Sequence, residues 1–149
     1  MTAMKLLLVD DESDFRDTLL KRMQRRHVDA HGVDGGQAAL AWLETHPADV
    51  VILDVRMPGM DGIETLREIK RRHPLIEVIM LTGHASMDVA IEGMENGAFD
   101  YLMKPMDMDE LLYKAEDAFK KRTIQLGKIR QMTDHLQGGW SDEAPSKKV

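Results

Sequence analysis

Four short clusters hold the residues with reactive potential: Asp10-Asp11-Glu12, Asp54, Thr82-Gly83 and Lys104-Pro105. Each follows an apolar, β-rich run, so each stands where a strand would end. Taken singly they have ordinary explanations. Asp11 or Ser13 would cap a helix, Asp54 would be a solvated loop carboxylate, Thr82 would close a turn, and Lys104 would be a surface lysine before a rigid proline. Taken together they aim carboxylates, a hydroxyl and an ammonium from four strands at one crevice, because ligands of open parallel sheets bind outside the carboxyl ends of the strands. Two ionised carboxylates about 4 Å apart repel by roughly 4 kcal/mol at an effective dielectric near 20. Three of them must therefore take up protons or hold a cation. Carboxylate and carbonyl oxygens with several waters suit Mg²⁺, usually with a phosphate completing the shell. Beside such a metal Lys104 can hold a phosphoryl oxygen as a point charge, and Thr82 with the following N–H can donate to another. Asp54, central in the sheet, is then a candidate nucleophile for forming an acyl phosphate.

The elements that must position these residues are legible as alternating patterns. Apolar runs at Lys5–Val9, Val28–Val33, Val50–Leu53, Val78–Leu81 and Phe99–Met103 predict five strands, separated by stretches of helical spacing such as Phe15, Leu19, Leu20 and Met23. Strand alternating with helix at this spacing predicts βαβ units, a parallel sheet with helices on both faces. The first, third and fourth runs are almost continuously apolar, as doubly covered strands are, whereas Val28, Ala30 and Gly32 alternate with polar residues like an edge strand. Asp61 is the expected N-cap of the third helix, and Asp107 with Glu110 has capping-box spacing for the fifth. Beyond that helix Leu112, Ala115, Phe119, Leu126, Ile129 and Leu136 recur on three- and four-residue steps, with Arg122 and Thr133 in the gaps. Two readings stand side by side: a weak heptad seam for a second copy, or one long amphipathic helix packing on its own domain. Gly127 costs about 1 kcal/mol inside a helix and marks a point where the extension would break. From Gly138 the composition is that of a frayed tail.

Composition narrows the classes. The chain has 149 residues with 20 Lys plus Arg against 26 Asp plus Glu, a net charge of −6, and no cysteine. The length suits one domain and an appendage. The missing cysteines exclude disulfide scaffolds, thiolate metal sites and cysteine nucleophiles. The acidic balance argues against direct nucleic-acid binding, and no apolar run is long enough to span a bilayer. With no secretory h-region near the amino terminus, a cytoplasmic protein is expected.

The joint pattern of Asp10-Asp11, Asp54, Met57-Pro58-Gly59-Met60-Asp61-Gly62, Thr82-Gly83 and Lys104-Pro105 resembles the receiver domain of two-component response regulators. Leu81-Thr82-Gly83-His84 and Gly97-Ala98-Phe99-Asp100-Tyr101 make it most similar to nitrogen-regulator-type receivers. The resemblance covers residues 4–121, leaving 122–137 as a helical extension and 138–149 as a flexible tail. It implies a flavodoxin-like α/β fold, a doubly wound five-stranded parallel sheet of order 2-1-3-4-5. It implies a phosphoacceptor rather than an enzyme, with Asp54 phosphorylated from a sensor histidine kinase or a phosphotransfer protein. Mg²⁺ would be held by Asp11, Asp54 and the backbone carbonyl of Arg56, with Asp10 acting through water. Thr82 and Lys104 would bind phosphoryl oxygens, and Thr82 with Tyr101 would form the switch. The surface expected to respond, and to dock a downstream protein, is the face of the fourth helix, fifth strand and fifth helix, where methionines cluster; a polarizable side chain suits such a groove, though it is more often core filler.

Three other readings are weaker. An aspartate-dependent phosphohydrolase of a related fold carries Asp-x-Asp after the first strand, whereas Asp10 and Asp11 are adjacent. A flavin carrier would need a hydroxyl- and glycine-rich loop where Asp10-Asp11-Glu12 would repel phosphate. A receiver-like module that is never phosphorylated would have lost one of the key residues, and none is replaced. The chain could also be a fragment of a longer transcriptional regulator; standing alone, it would act by binding another protein. Arg56 and His84 occupy the positions that in this family tune acyl-phosphate lifetime, and both are bulky enough to shield the group from water. The expected lifetime is minutes or longer in purified protein with Mg²⁺, read from the decay of radiolabel; loss within seconds would refute the shielding.

Overall fold

The computed structural model describes residues 4–55, 61–83 and 87–139. Strands β1 (Lys5–Val9), β2 (Asp29–Val33), β3 (Val50–Asp54), β4 (Glu77–Thr82) and β5 (Asp100–Met103) alternate with helices α1 (Ser13–Arg25), α2 (Gly36–Thr45), α3 (Gly62–Arg72), α4 (Met87–Glu95) and α5 (Met108–Asp134), followed by a π-helical turn at His135–Gly139. The strands pair in parallel in the order β2-β1-β3-β4-β5, the doubly wound arrangement expected from the sequence. β3 and β4 are buried along their whole length, while β2 and β5 form the partly exposed edges. This matches the difference between unbroken apolar runs and the alternating second run.

Because side chains alternate along a strand, each strand feeds two cores. Leu7, Val9, Val51, Leu53, Val78 and Met80 face α2 and α3. Leu6, Leu8, Ile52, Ile79 and Leu81 face α1 and α5, where Met23, Leu111, Ala115 and Ala118 are buried against them.

Helix ends depart from expectation in instructive ways. Asp61 caps α3 as expected, its carboxylate accepting from Glu64 N at 2.8 Å. Asp107 caps α5, but accepts from Asp109 N at 3.4 Å rather than completing a box with Glu110. Neither Asp11 nor Ser13 caps α1: Glu12 occupies the cap position without a side-chain bond, and Asp10 Oδ1 takes the Glu12 amide instead at 2.9 Å. α5 does not break at Gly127 but continues to Asp134. It leaves the base of the sheet under two ion pairs, Arg122 Nε to Asp49 Oδ1 at 3.0 Å and Lys121 Nζ to the buried Glu77 at 3.5 Å. Beyond them residues 128–137 are all exposed, Ile129, Met132 and Leu136 among them. The expected tail, from residue 138, falls outside the described residues from position 140 onward.

Two glycines separate packing from propensity. A Cβ on Gly62, the first residue of α3, would lie 2.8 Å from the carbonyl oxygens of both Asp54 and Val55, backbone that cannot yield. A Cβ on Gly127 would meet nothing within 4 Å. Gly62→Ala is expected to lower the unfolding free energy by about 1–3 kcal/mol in urea melts, the ordinary cost of overpacking. Gly127→Ala is expected to raise far-UV helicity and leave stability unchanged or improved by up to about 1 kcal/mol.

Candidate functional site

The strand ends converge as the sequence suggests. Asp10 follows β1 and is fully buried, Asp54 ends β3 and Thr82 ends β4, both nearly so. Lys104 follows β5, and its amide donates to the Thr82 carbonyl at 2.8 Å, so the ladder that registers β5 on β4 also places the lysine. Across the next pair Val55 N donates to Leu81 O at 3.0 Å, and Gly62 N donates to Val55 O at 3.1 Å, tying α3 to the end of β3. Thus Asp54 is held by the strand behind it and by the helix closing over it. The Lys104–Pro105 peptide bond is cis.

Carboxylate oxygens of Asp10, Glu12 and Asp54 lie within 4.8 Å of one another. The lysine ammonium sits among them: Lys104 Nζ is 3.0 Å from Asp10 Oδ2, 3.4 Å from Glu12 Oε1 and 3.7 Å from Asp54 Oδ2. The same nitrogen lies 4.3 Å from the centroid of the partly buried Phe15 ring, a cation–π contact. Burial pulls the Lys104 pKa down, but the Asp10 hydrogen bond and the charges of Asp54, Asp10 and Glu12 outweigh it. The ammonium is therefore held above the ordinary lysine value of 10.5. Carboxylate oxygen is the donor type that Mg²⁺ takes, and a cluster of three at this spacing fits it.

The other residues singled out by sequence are placed less uniformly. Asp11 is exposed and stands outside the three-carboxylate group, whose third member is Glu12, a residue not expected as a ligand. Arg56 and His84 lie outside the described residues, as does most of the Met57–Gly62 motif. Tyr101 is half-buried against the core and lines a groove of about 330 Å³ with Met87, Ala90, Ile91, Met94 and Glu95. Its neighbour Asp100 pairs with Lys114 of α5 at 2.6 Å, linking β5 to the last helix. Of the five methionines in the segment from α4 to the start of α5, Met87, Met94 and Met103 are exposed, whereas Met106 is partly buried and Met108 is buried core. No helix among the described residues is long and apolar enough to cross a membrane.

With this geometry in hand, comparison with known proteins is decisive. The response regulator receiver domain model matches residues 6–116. The chain belongs to the response regulator receiver family. It is 40% identical over 111 residues to the DNA-binding transcriptional regulator NtrC of Salmonella typhimurium, covering 74% of this chain and 24% of that protein. The receiver domain of NtrX from Brucella abortus superposes with a TM-score of 0.73 at 32% identity, over 77% of this chain and 98% of that one. The Francisella response regulator 1452 receiver domain gives a TM-score of 0.74 at 30% identity, over 79% and 98%. The chain spans about a quarter of the length of the curated regulators it matches. It is a receiver of a two-component response regulator, a signalling domain of a family characteristically phosphorylated on aspartate with Mg²⁺.

Lys104 is the receiver's built-in counter-ion. Because its folded pKa is raised, its contribution to stability is complete below 10.5 and is lost as pH climbs through the higher folded value. Lys104→Met keeps an apolar stem near Phe15 and removes the charge. It is expected to melt below wild type in Mg²⁺-free buffer at neutral pH. The gap should narrow with saturating Mg²⁺ and close at alkaline pH; a gap independent of both would contradict the counter-ion role.

Proposed function

We propose that this receiver accepts a phosphoryl group on Asp54 from a phosphohistidine of a sensor histidine kinase or phosphotransfer protein. The observation that carries the reading is the burial of Asp54 at the end of the central strand, within reach of Lys104 and clustered with Asp10 and Glu12. Mg²⁺ would be held by Asp11, Asp54 and the Arg56 carbonyl, with Asp10 acting through water and Glu12, which clusters with Asp10 and Asp54, adding its charge. When bound, the metal neutralises the pocket and screens the charge that gathers on the transferred group. An Asp54 carboxylate oxygen attacks phosphorus in line while the histidine nitrogen departs. Lys104 leaves its carboxylates to pair with a phosphoryl oxygen, and the Thr82 hydroxyl donates to another. A phosphoryl group brings nearly two negative charges and three strong acceptors, enough to draw Thr82 and Lys104 into new positions.

Since Lys104 N is bonded to Thr82 O, movement of either is felt on β4 and β5 together. Tyr101 and the groove beside α4 would then change shape, altering the exposed Met87, Ile91, Met94 and Met103 where a downstream protein docks. In this reading the receiver unit is residues 4–121, the chain acts in the cytoplasm, and it catalyses only its own phosphorylation and dephosphorylation. The exposed stripe of Ile129, Met132 and Leu136 favours a homodimer through the extension, residues 122–137. Incubation with Mg²⁺ and acetyl phosphate should add about 80 Da, the mass of one phosphoryl group, to wild type and nothing to Asp54→Asn by intact mass. Equal labelling of both proteins would overturn the assignment.

A further inference from the structure

The end of β1 has a partner that the pocket chemistry does not use. Arg16, half-buried in the first turn of α1, donates from Nη1 to the Asp10 carbonyl oxygen at 2.7 Å. Asp10 is thereby held at all three of its polar groups. Its amide donates to Val33 O of β2 at 3.1 Å, its Oδ1 accepts from Glu12 N at 2.9 Å, and its carbonyl takes the guanidinium. Arg16 N in turn donates to the Glu12 carbonyl at 2.9 Å, so the turn carrying Asp10, Asp11 and Glu12 is closed from both sides. The arginine stem runs beside Gly32 on β2. A Cβ there would stand 3.0 and 3.1 Å from Arg16 Cδ and Cγ, and 2.7 Å from Leu20 Cδ1. A glycine inside a strand weakens it and often marks a close approach; here the approaching groups are the side chains of Leu20 and Arg16.

We propose that Arg16, seated over Gly32, is a positioning residue for the acidic pocket: it fixes the Asp10 carbonyl and with it the directions of the Asp10 and Glu12 carboxylates toward Asp54. This rests on the reading of that pocket as the Mg²⁺ and phosphoryl site. A charge-assisted bond to a carbonyl is stronger than a neutral one, and groups that orient metal ligands commonly govern affinity by tenfold or more. The alternative role has the opposite sign. A bare positive charge near a cation site weakens cation binding, and salt screens that effect, whereas positioning strengthens binding and is insensitive to salt.

The test is Mg²⁺ binding to the full chain by isothermal titration calorimetry, at low and high ionic strength. It is run below the circular dichroism melting transition of every variant, because Gly32→Ala also crowds Leu20. Arg16→Ala is expected to bind Mg²⁺ about tenfold more weakly at both salt concentrations, and Arg16→Lys to recover part of the loss. Gly32→Ala should weaken binding when Arg16 is present and add nothing on top of Arg16→Ala, the signature of two residues acting through one contact. Faster hydrogen exchange at the Glu12 amide should accompany each loss. Unchanged or tighter Mg²⁺ binding by Arg16→Ala would overturn the positioning role while leaving the pocket assignment intact. A wild type that neither binds Mg²⁺ nor takes up phosphoryl would overturn both.

Discussion

Carboxylates of Asp10, Glu12 and Asp54 packed within 4.8 Å of one another are tolerable only around a positive charge, and the structure supplies one in Lys104. Mutual repulsion at this spacing is several kcal/mol per pair at the effective dielectric of a protein. Under the proposed function, that repulsion is what would draw a divalent ion to the pocket. A lysine shared among three acids pairs with a stronger anion that enters beside them. A phosphoryl group on Asp54 is such an anion.

The architecture gathers this local balance from separate elements, because each participant is attached to a different strand. Asp10 follows β1, Asp54 ends β3, Thr82 ends β4 and Lys104 follows β5. Parallel pairing brings their ends together without making them neighbours in sequence. The Lys104 amide bonded to the Thr82 carbonyl couples these two residues through backbone rather than through flexible side chains. Close seating of Gly62 against the Asp54 carbonyl brings α3 onto the same centre. The Asp100–Lys114 ion pair, one residue from Tyr101, ties β5 to α5.

Much of this was legible before any coordinates. Asp10, Asp54 and Thr82 stand at the ends of apolar runs whose length and continuity define buried strands, and the alternation around Ala30 marks the edge. Asp61 declares itself as a cap by residue type and position. What escaped sequence reasoning depends on contacts between distant segments or on the path of a loop. Asp11 and Glu12 are adjacent acids, and only the turn held by Asp10 Oδ1 selects Glu12 for the cluster. Arg16 and Gly32 carry no recognisable spacing, because their relation is a side chain crossing an edge strand. Gly127 looked like a break, yet ion pairs of Arg122 with Asp49 and Lys121 with Glu77 anchor α5 just before it, and a helix already nucleated tolerates one glycine.

The most direct test of the electrostatic account is a ¹H–¹⁵N correlation spectrum recorded through a Mg²⁺ titration of the unphosphorylated protein. The account predicts saturable single-site shifts concentrated at residues 10–12, 54–55, 82–83 and 104, with the base of the sheet around Asp49, Glu77 and Arg122 unmoved. A spectrum that stays unchanged, or that shifts chiefly at that base, would contradict a cation-seeking pocket at the carboxyl ends of the strands.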